Sequence, residues 1–157
     1  MEIRHEREEA MRVFTLLMLG VCGMSGASLL VAADSEKESK TFEGTWTLSS
    51  GEAEGKALTE KQIKGGKLVI KDSHYTVTIP DKEKITGTQK VDPSKTPKTI
   101  DISDDTGPNK GKTCLGIYEI KGEEFRCVFA APGKDRPSKF STAEGSGQWL
   151  HVWKKSK

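Results

Sequence analysis

The stretch Phe42-Glu43-Gly44-Thr45-Trp46-Thr47-Leu48 decides the fold. Phe42, Gly44, Trp46 and Leu48 fall on one side of an extended chain, with Glu43, Thr45, Thr47 and Ser49 on the other. A period of two with apolar residues on one face marks a half-buried strand. The same alternation recurs downstream. Residues 67–71 and 74–79 form a hairpin around Asp72-Ser73, with Tyr75, Val77 and Ile79 on its apolar face. Residues 83–91 form a fourth strand carrying Ile85 and Val91, and residues 99–103 a fifth. Residues 113–120 and 123–130 make a second hairpin through Lys121-Gly122, and residues 148–154 close the sheet. Between the fourth and fifth strands, Pro93 and Pro97 each remove a ladder donor and stiffen the loop. No helix beyond two turns is expected, and Thr59 caps one short turn after it. Eight short strands with polar turns predict an all-β domain, closed as a barrel or folded as a sandwich.

Size and charge narrow the class. The chain has 157 residues, 34% hydrophobic, and a net charge of +2. That is material for one core, and the charge is too small to imply a nucleic-acid partner. Arg12 precedes an apolar run over residues 13–33 that ends Val31-Ala32-Ala33. The short side chains there suit signal peptidase, so a secretory signal over residues 1–33, cut between Ala33 and Asp34, is expected. The polar, partly acidic residues 1–10 are odd for such a signal, which makes Met11 a rival start to Met1. A membrane anchor and a lipoprotein box around Cys22 compete with this reading. Gly20, Gly23 and Gly26 dilute the first, and the large Val21 weakens the second. Residues 34–41 then read as a charged flexible leader, and residues 42–155 as the domain, with no membrane span after cleavage.

No catalytic constellation stands out. Gly107 to Thr113 is one residue short of a phosphate loop and leads into a strand, so no helix N-terminus is there to receive phosphate. Asp101, Asp104, Asp105 and Asn109 gather oxygens, but without calcium-loop spacing or a bidentate glutamate. Ser146 lacks the preceding glycine of a nucleophile elbow. Cys127 with His74 or His151 as base is a thiol-enzyme option, set against a packed strand cysteine. No metal, cofactor or enzymatic activity is expected. A turn at Lys121-Gly122 sets Cys114 opposite Phe129 and leaves Cys114 and Cys127 as free buried thiols.

The aromatic residues Trp46, Tyr75, Tyr118, Phe125, Phe129, Trp149 and Trp153 remain. In an eight-stranded barrel they either plug the core or line a cavity for one small ligand. Tyr75, Val77, Tyr118, Phe125 and Phe129 are the candidate interior residues, whereas Gly44 and Trp46 are structural, beside the last strand at the closed end.

Several stretches together carry a resemblance: 42–48, Asp92-Pro93-Ser94-Lys95-Thr96-Pro97-Lys98-Thr99-Ile100-Asp101, residues 111–119, residues 129–137 and Gly145-Ser146-Gly147-Gln148. Over residues 42–155 the chain resembles the lipocalin-like domains of unknown function found in planctomycete bacteria. Cys114 departs from that pattern, which places an apolar or aromatic residue there. The resemblance implies an exported, up-and-down lipocalin-like antiparallel barrel of about eight strands. It implies no activity and no functional residues. A long first connection lies over the barrel mouth in such folds, so residues 51–66 are expected to form a lid.

Two functions follow as expectations. The first is a monomeric, extracytoplasmic module, periplasmic or secreted, that binds a small hydrophobic molecule or lipid. The second is a filled barrel whose rim loops, residues 93–98 and 132–137, hold an envelope protein through Lys134 and Arg136.

Overall fold

A computed structural model describes residues 26–157, with side chains from Asp34 onward. The expected export signal, its start at Met1 or Met11 and its cut after Ala33 fall at or beyond the edge of the described residues. The chain divides into two units, 1–33 and Asp34–Lys157, and the second carries the whole sheet.

Helix α1 (Gly26–Phe42) precedes β1 (Gly44–Ala53), β2 (Lys56–Ala57) and the short helix α2 (Glu60–Ile63). Then follow β3 (Lys67–Lys71), β4 (His74–Thr78), β5 (Ile85–Asp92), β6 (Thr99–Asp104), β7 (Thr113–Lys121), β8 (Glu124–Ala130) and β9 (Gln148–Lys155). From β3 to β9 each strand pairs antiparallel with the next, and β1 pairs with both β3 and β9. The result is a closed eight-stranded, up-and-down barrel, consistent with a lipocalin-like one. Residues β-branched or aromatic at alternate positions, and turns such as Asp72-Ser73 with positive φ at both residues, produce this meander.

Four local expectations are corrected. The charged residues 34–41 are not a flexible leader but the last turns of α1. Glu38 accepts from Lys98 Nζ (2.6 Å) and from the Tyr118 hydroxyl (3.1 Å), and Phe42 is fully buried. Consequently β1 begins at Gly44, whose φ of 118° suits glycine, and not at Phe42.

β1 also runs on through Ser49-Ser50-Gly51-Glu52-Ala53, a polar run that reads as loop. Its register slips by one residue between Leu48 and Ser50, and that bulge lets the strand follow β9 to Trp149. The β7–β8 turn is Gly122-Glu123, because Gly122 takes a positive φ of 59° and Lys121 pairs with Glu124. Phe129 therefore faces Gly116, Cys127 faces Tyr118, and both thiols are free. Finally, α2 forms after Thr59 as expected, with a capping box through Gln62, but its Ile63 packs on the core. No residue of that first connection lines the cavity, so it is not the lid expected.

Two cross-strand pairs shape the inside. Tyr75 faces Gly87 and Phe129 faces Gly116. A Cβ at Gly87 would collide with the Ser103 carbonyl and the Tyr75 ring, and one at Gly116 with the Phe129 ring. Each glycine thus gives its aromatic partner room to lie across the sheet. Outside, residues 131–147 cross β6–β8. Arg136 Nη1 donates to Asp101 Oδ1 (2.5 Å) and to the Gly116 carbonyl (2.6 Å), while Arg126 stacks on Phe140, 4.2 Å from its ring centre. Ile117 and Val128, outward by alternation, are thereby buried.

Candidate functional site

The barrel interior has a floor and a chamber. The floor lies where α1 ends and β1 begins. Phe42 meets Tyr118 (5.0 Å between ring centres) and Phe125 (5.1 Å), and Phe125 meets Trp46 (5.7 Å), all edge to face. Trp46 Nε1 donates to the Phe42 carbonyl (2.8 Å), and Lys155 Nζ stands 5.1 Å over the indole. Trp46 pairs with Lys155 of the last strand, where the sequence places it. Every polar atom named here has a partner.

Above the floor is a cavity of about 260 Å³. Of the five candidate interior residues, Tyr75, Val77, Phe125 and Phe129 line it. Tyr118 does not; it belongs to the floor, its hydroxyl turned to Glu38. The rest of the wall is largely aliphatic and indole, with Ile100, Ile102, Trp149 and Trp153 prominent. On the mouth side the lining comes from Ile79 and Ile85, flanking the β4–β5 loop, and from Pro108 and Asn109 of the β6–β7 loop.

Tyr75, Gln89, Asp104, Cys127 and His151, with Asn109 at the mouth, break the apolar wall. Tyr75 donates its hydroxyl to Asp104 Oδ1; burial, and then Asp104, hold that phenol protonated far above its ordinary range. Gln89 lines the chamber with its Nε2 unpartnered. His151 and Cys127 face each other across β8 and β9, yet the Cys127 thiol contacts the His151 carbonyl (3.9 Å). Burial pushes the Cys127 thiol up to about 12 and His151 down to about 4. An activated cysteine needs the opposite shift, so this pair stays neutral near pH 7 and supplies no thiolate. Cys114, also buried, is pushed up to about 11.

The oxygen cluster noted in the sequence is dispersed. Asp101 points out to Arg136, Asp104 points in to Tyr75, and Asp105 is exposed. Among the described residues no group of three or more His, Cys, Asp or Glu is placed to hold a metal ion. Residues 107–113 form a turn leading directly into β7.

Gln89, Asp104 and His151 were missed as lining residues because polar side chains read as solvent-facing. The signal was available: Gln89 lies between Gly87 and Val91 on the inward face, and Asp104 continues Ile100 and Ile102.

The two loops expected on the rim do meet, on the outer wall. Lys95 and Pro97 border Arg136 and Pro137 around a groove of about 510 Å³. Of the two expected contact residues, Arg136 is committed to Asp101 and Gly116, whereas Lys134 is exposed and in no ion pair among the described residues.

No family model and no curated protein matches this chain.

Proposed function

We propose that this chain is an exported binding module that takes a small apolar molecule into the barrel, without catalysing a reaction on it. The observation that carries this reading is the cavity of about 260 Å³ walled mostly by apolar side chains. An apolar cavity of about 150 Å³ stays dry and accepts benzene, so this one suits a molecule of about ten non-hydrogen atoms. Closing apolar surface over such a guest is favourable at about 25 cal/mol per Å². Tyr75 and His151, both neutral near pH 7, add no charge to the wall. The neutral Cys127–His151 pair is why the reading is of binding and not of thiol chemistry.

Trp149 and Trp153 line the chamber and report on it directly. Titration with a panel of small aromatic and aliphatic compounds is expected to quench or shift their fluorescence at saturating, single-site stoichiometry. A flat response across the panel, with no small molecule retained in native mass spectrometry, would sink the reading.

A second reading, capture of an envelope protein, is favoured by the groove that joins the two lysine-bearing loops. Lys95→Glu with Lys134→Glu would then abolish capture from an envelope extract. Arg136 is left intact in that test because it holds the outer strap to β6 and β7.

A further inference from the structure

Resting on the binding reading, the geometry points to a ligand that carries one uncharged hydroxyl on its apolar body, seated against Gln89 and Asp104. Gln89 is 8% exposed, it lines the cavity, and its Nε2 has no partner among the described residues. A buried donor left unpaired costs more than a hydrogen bond ordinarily contributes, so a vacancy of this kind calls for an acceptor. Asp104, 5% exposed, also lines the cavity. It accepts the Tyr75 hydroxyl and takes part in no ion pair among the described residues.

The sheet register brings these groups together. Gly87 pairs with Tyr75 on one side and with Asp104 on the other, and Gln89 is the next inward residue on the same strand. Gln89 and Asp104 are therefore diagonal neighbours on one face, a spacing that places Cα atoms about 7–8 Å apart. The missing side chain of Gly87 makes room for the Tyr75 ring, whose hydroxyl reaches Asp104 beside Gln89. One polar corner, made by three strands, thus interrupts an otherwise oily wall.

Its chemistry selects the head group. A hydroxyl oxygen accepts from Gln89 Nε2 while its proton goes to the free lone pairs of Asp104, so a single atom satisfies both residues. An ammonium satisfies Asp104 and offers Gln89 Nε2 nothing. A carboxylate satisfies Gln89 but has no hydrogen to give Asp104. A pure hydrocarbon leaves both unmet.

Four probes of nearly equal size separate these cases: 2-phenylethanol, ethylbenzene, 2-phenylethylamine and phenylacetate, titrated against the purified protein by calorimetry. The alcohol is expected to bind about tenfold more tightly than ethylbenzene, the increment of one buried hydrogen bond. The amine and phenylacetate each leave one of the two residues unmet and carry a charge that must be desolvated, so both are expected to bind less tightly than the alcohol. In Gln89→Leu the alcohol should lose its advantage over ethylbenzene, with an unchanged circular dichroism spectrum certifying the fold. Ethylbenzene equalling the alcohol, an amine or carboxylate exceeding it, or a preference that survives Gln89→Leu, each overturns the hydroxyl assignment and leaves the binding reading standing. Failure of all four probes to bind overturns both.

Discussion

The two halves of the barrel interior use the same residue types to opposite ends. At the floor, Phe42, Trp46, Tyr118 and Phe125 interlock edge to face, and each polar atom among them is paired. In the chamber, Phe129 lies tilted against Trp149 (5.7 Å between ring centres), and with Tyr75 and Trp153 they surround about 260 Å³. There Gln89 Nε2 is left without a partner. The contrast teaches that aromatic content does not decide whether a barrel is hollow. What decides it is whether a helix end plugs the ring: α1 drives Phe42 into the floor, and nothing comparable among the described residues enters the other half.

Four substitutions or conditions break or sharpen that contrast. Trp46→Ala should be the most damaging, costing about 3–5 kcal/mol in urea unfolding, because a fully buried indole is lost with its bond to Phe42. Acid comes next, through His151 in the chamber. Its folded pKa of about 4 lies below the ordinary 6.5, so the unfolded chain takes up the proton first. Stability from this residue is unaffected above about pH 6.5 and declines as pH falls to about 4, by about 3 kcal/mol. Denaturant midpoints at stepped pH should show that decline flattened in His151→Leu.

Gly87→Ala should cost about 2 kcal/mol, as the new methyl collides with the Ser103 carbonyl and the Tyr75 ring. It should weaken small-molecule uptake more than it weakens the fold. The smallest effect is expected at Glu38→Gln, where a half-exposed Lys98 partner limits the loss to about 1 kcal/mol or less, read as a small shift in thermal midpoint.

Most of the sheet was legible because inward apolar residues recur at every second position along β3 to β9, even where residues 131–147 cover the outer face of β7 and β8. Legibility ended where the period did. The second half of β1 is polar and bulged at Ser49, so only its pairing with Trp149 to Val152 reveals a strand. Residues 34–41 carry no apolar stripe, and the contacts of Glu38 come from residues 60 and 80 positions away. The hairpin register moved because Gly122, not Lys121, takes the first place of the turn. Within the site, Val77, Phe125 and Phe129 followed from hydrophobicity, and Tyr75 from its place in the hairpin. Gln89 and Asp104 did not, since a buried polar residue looks the same in a sequence as a solvated one. Tyr118 is interior, as expected, but lies in the floor and not the chamber, because Phe42 at the end of α1 packs against its ring.

The hairpin of β1 and β2 has a consequence for behaviour in solution. β3 pairs only with Gly44 to Thr47, which leaves the upper flank of β1 bare on that side. The chain covers that flank itself, as β2 hydrogen-bonds Glu52 and Ala53 while Leu58 N donates to the Gly51 carbonyl (2.8 Å). A bare flank of this kind would template strand addition by a second molecule. With it covered, β2 is the sole strand among the described residues with a single neighbour, and two residues are too short a ladder to recruit another copy. The protein should therefore remain dispersed at concentrations where an open sheet of similar composition would assemble edge to edge.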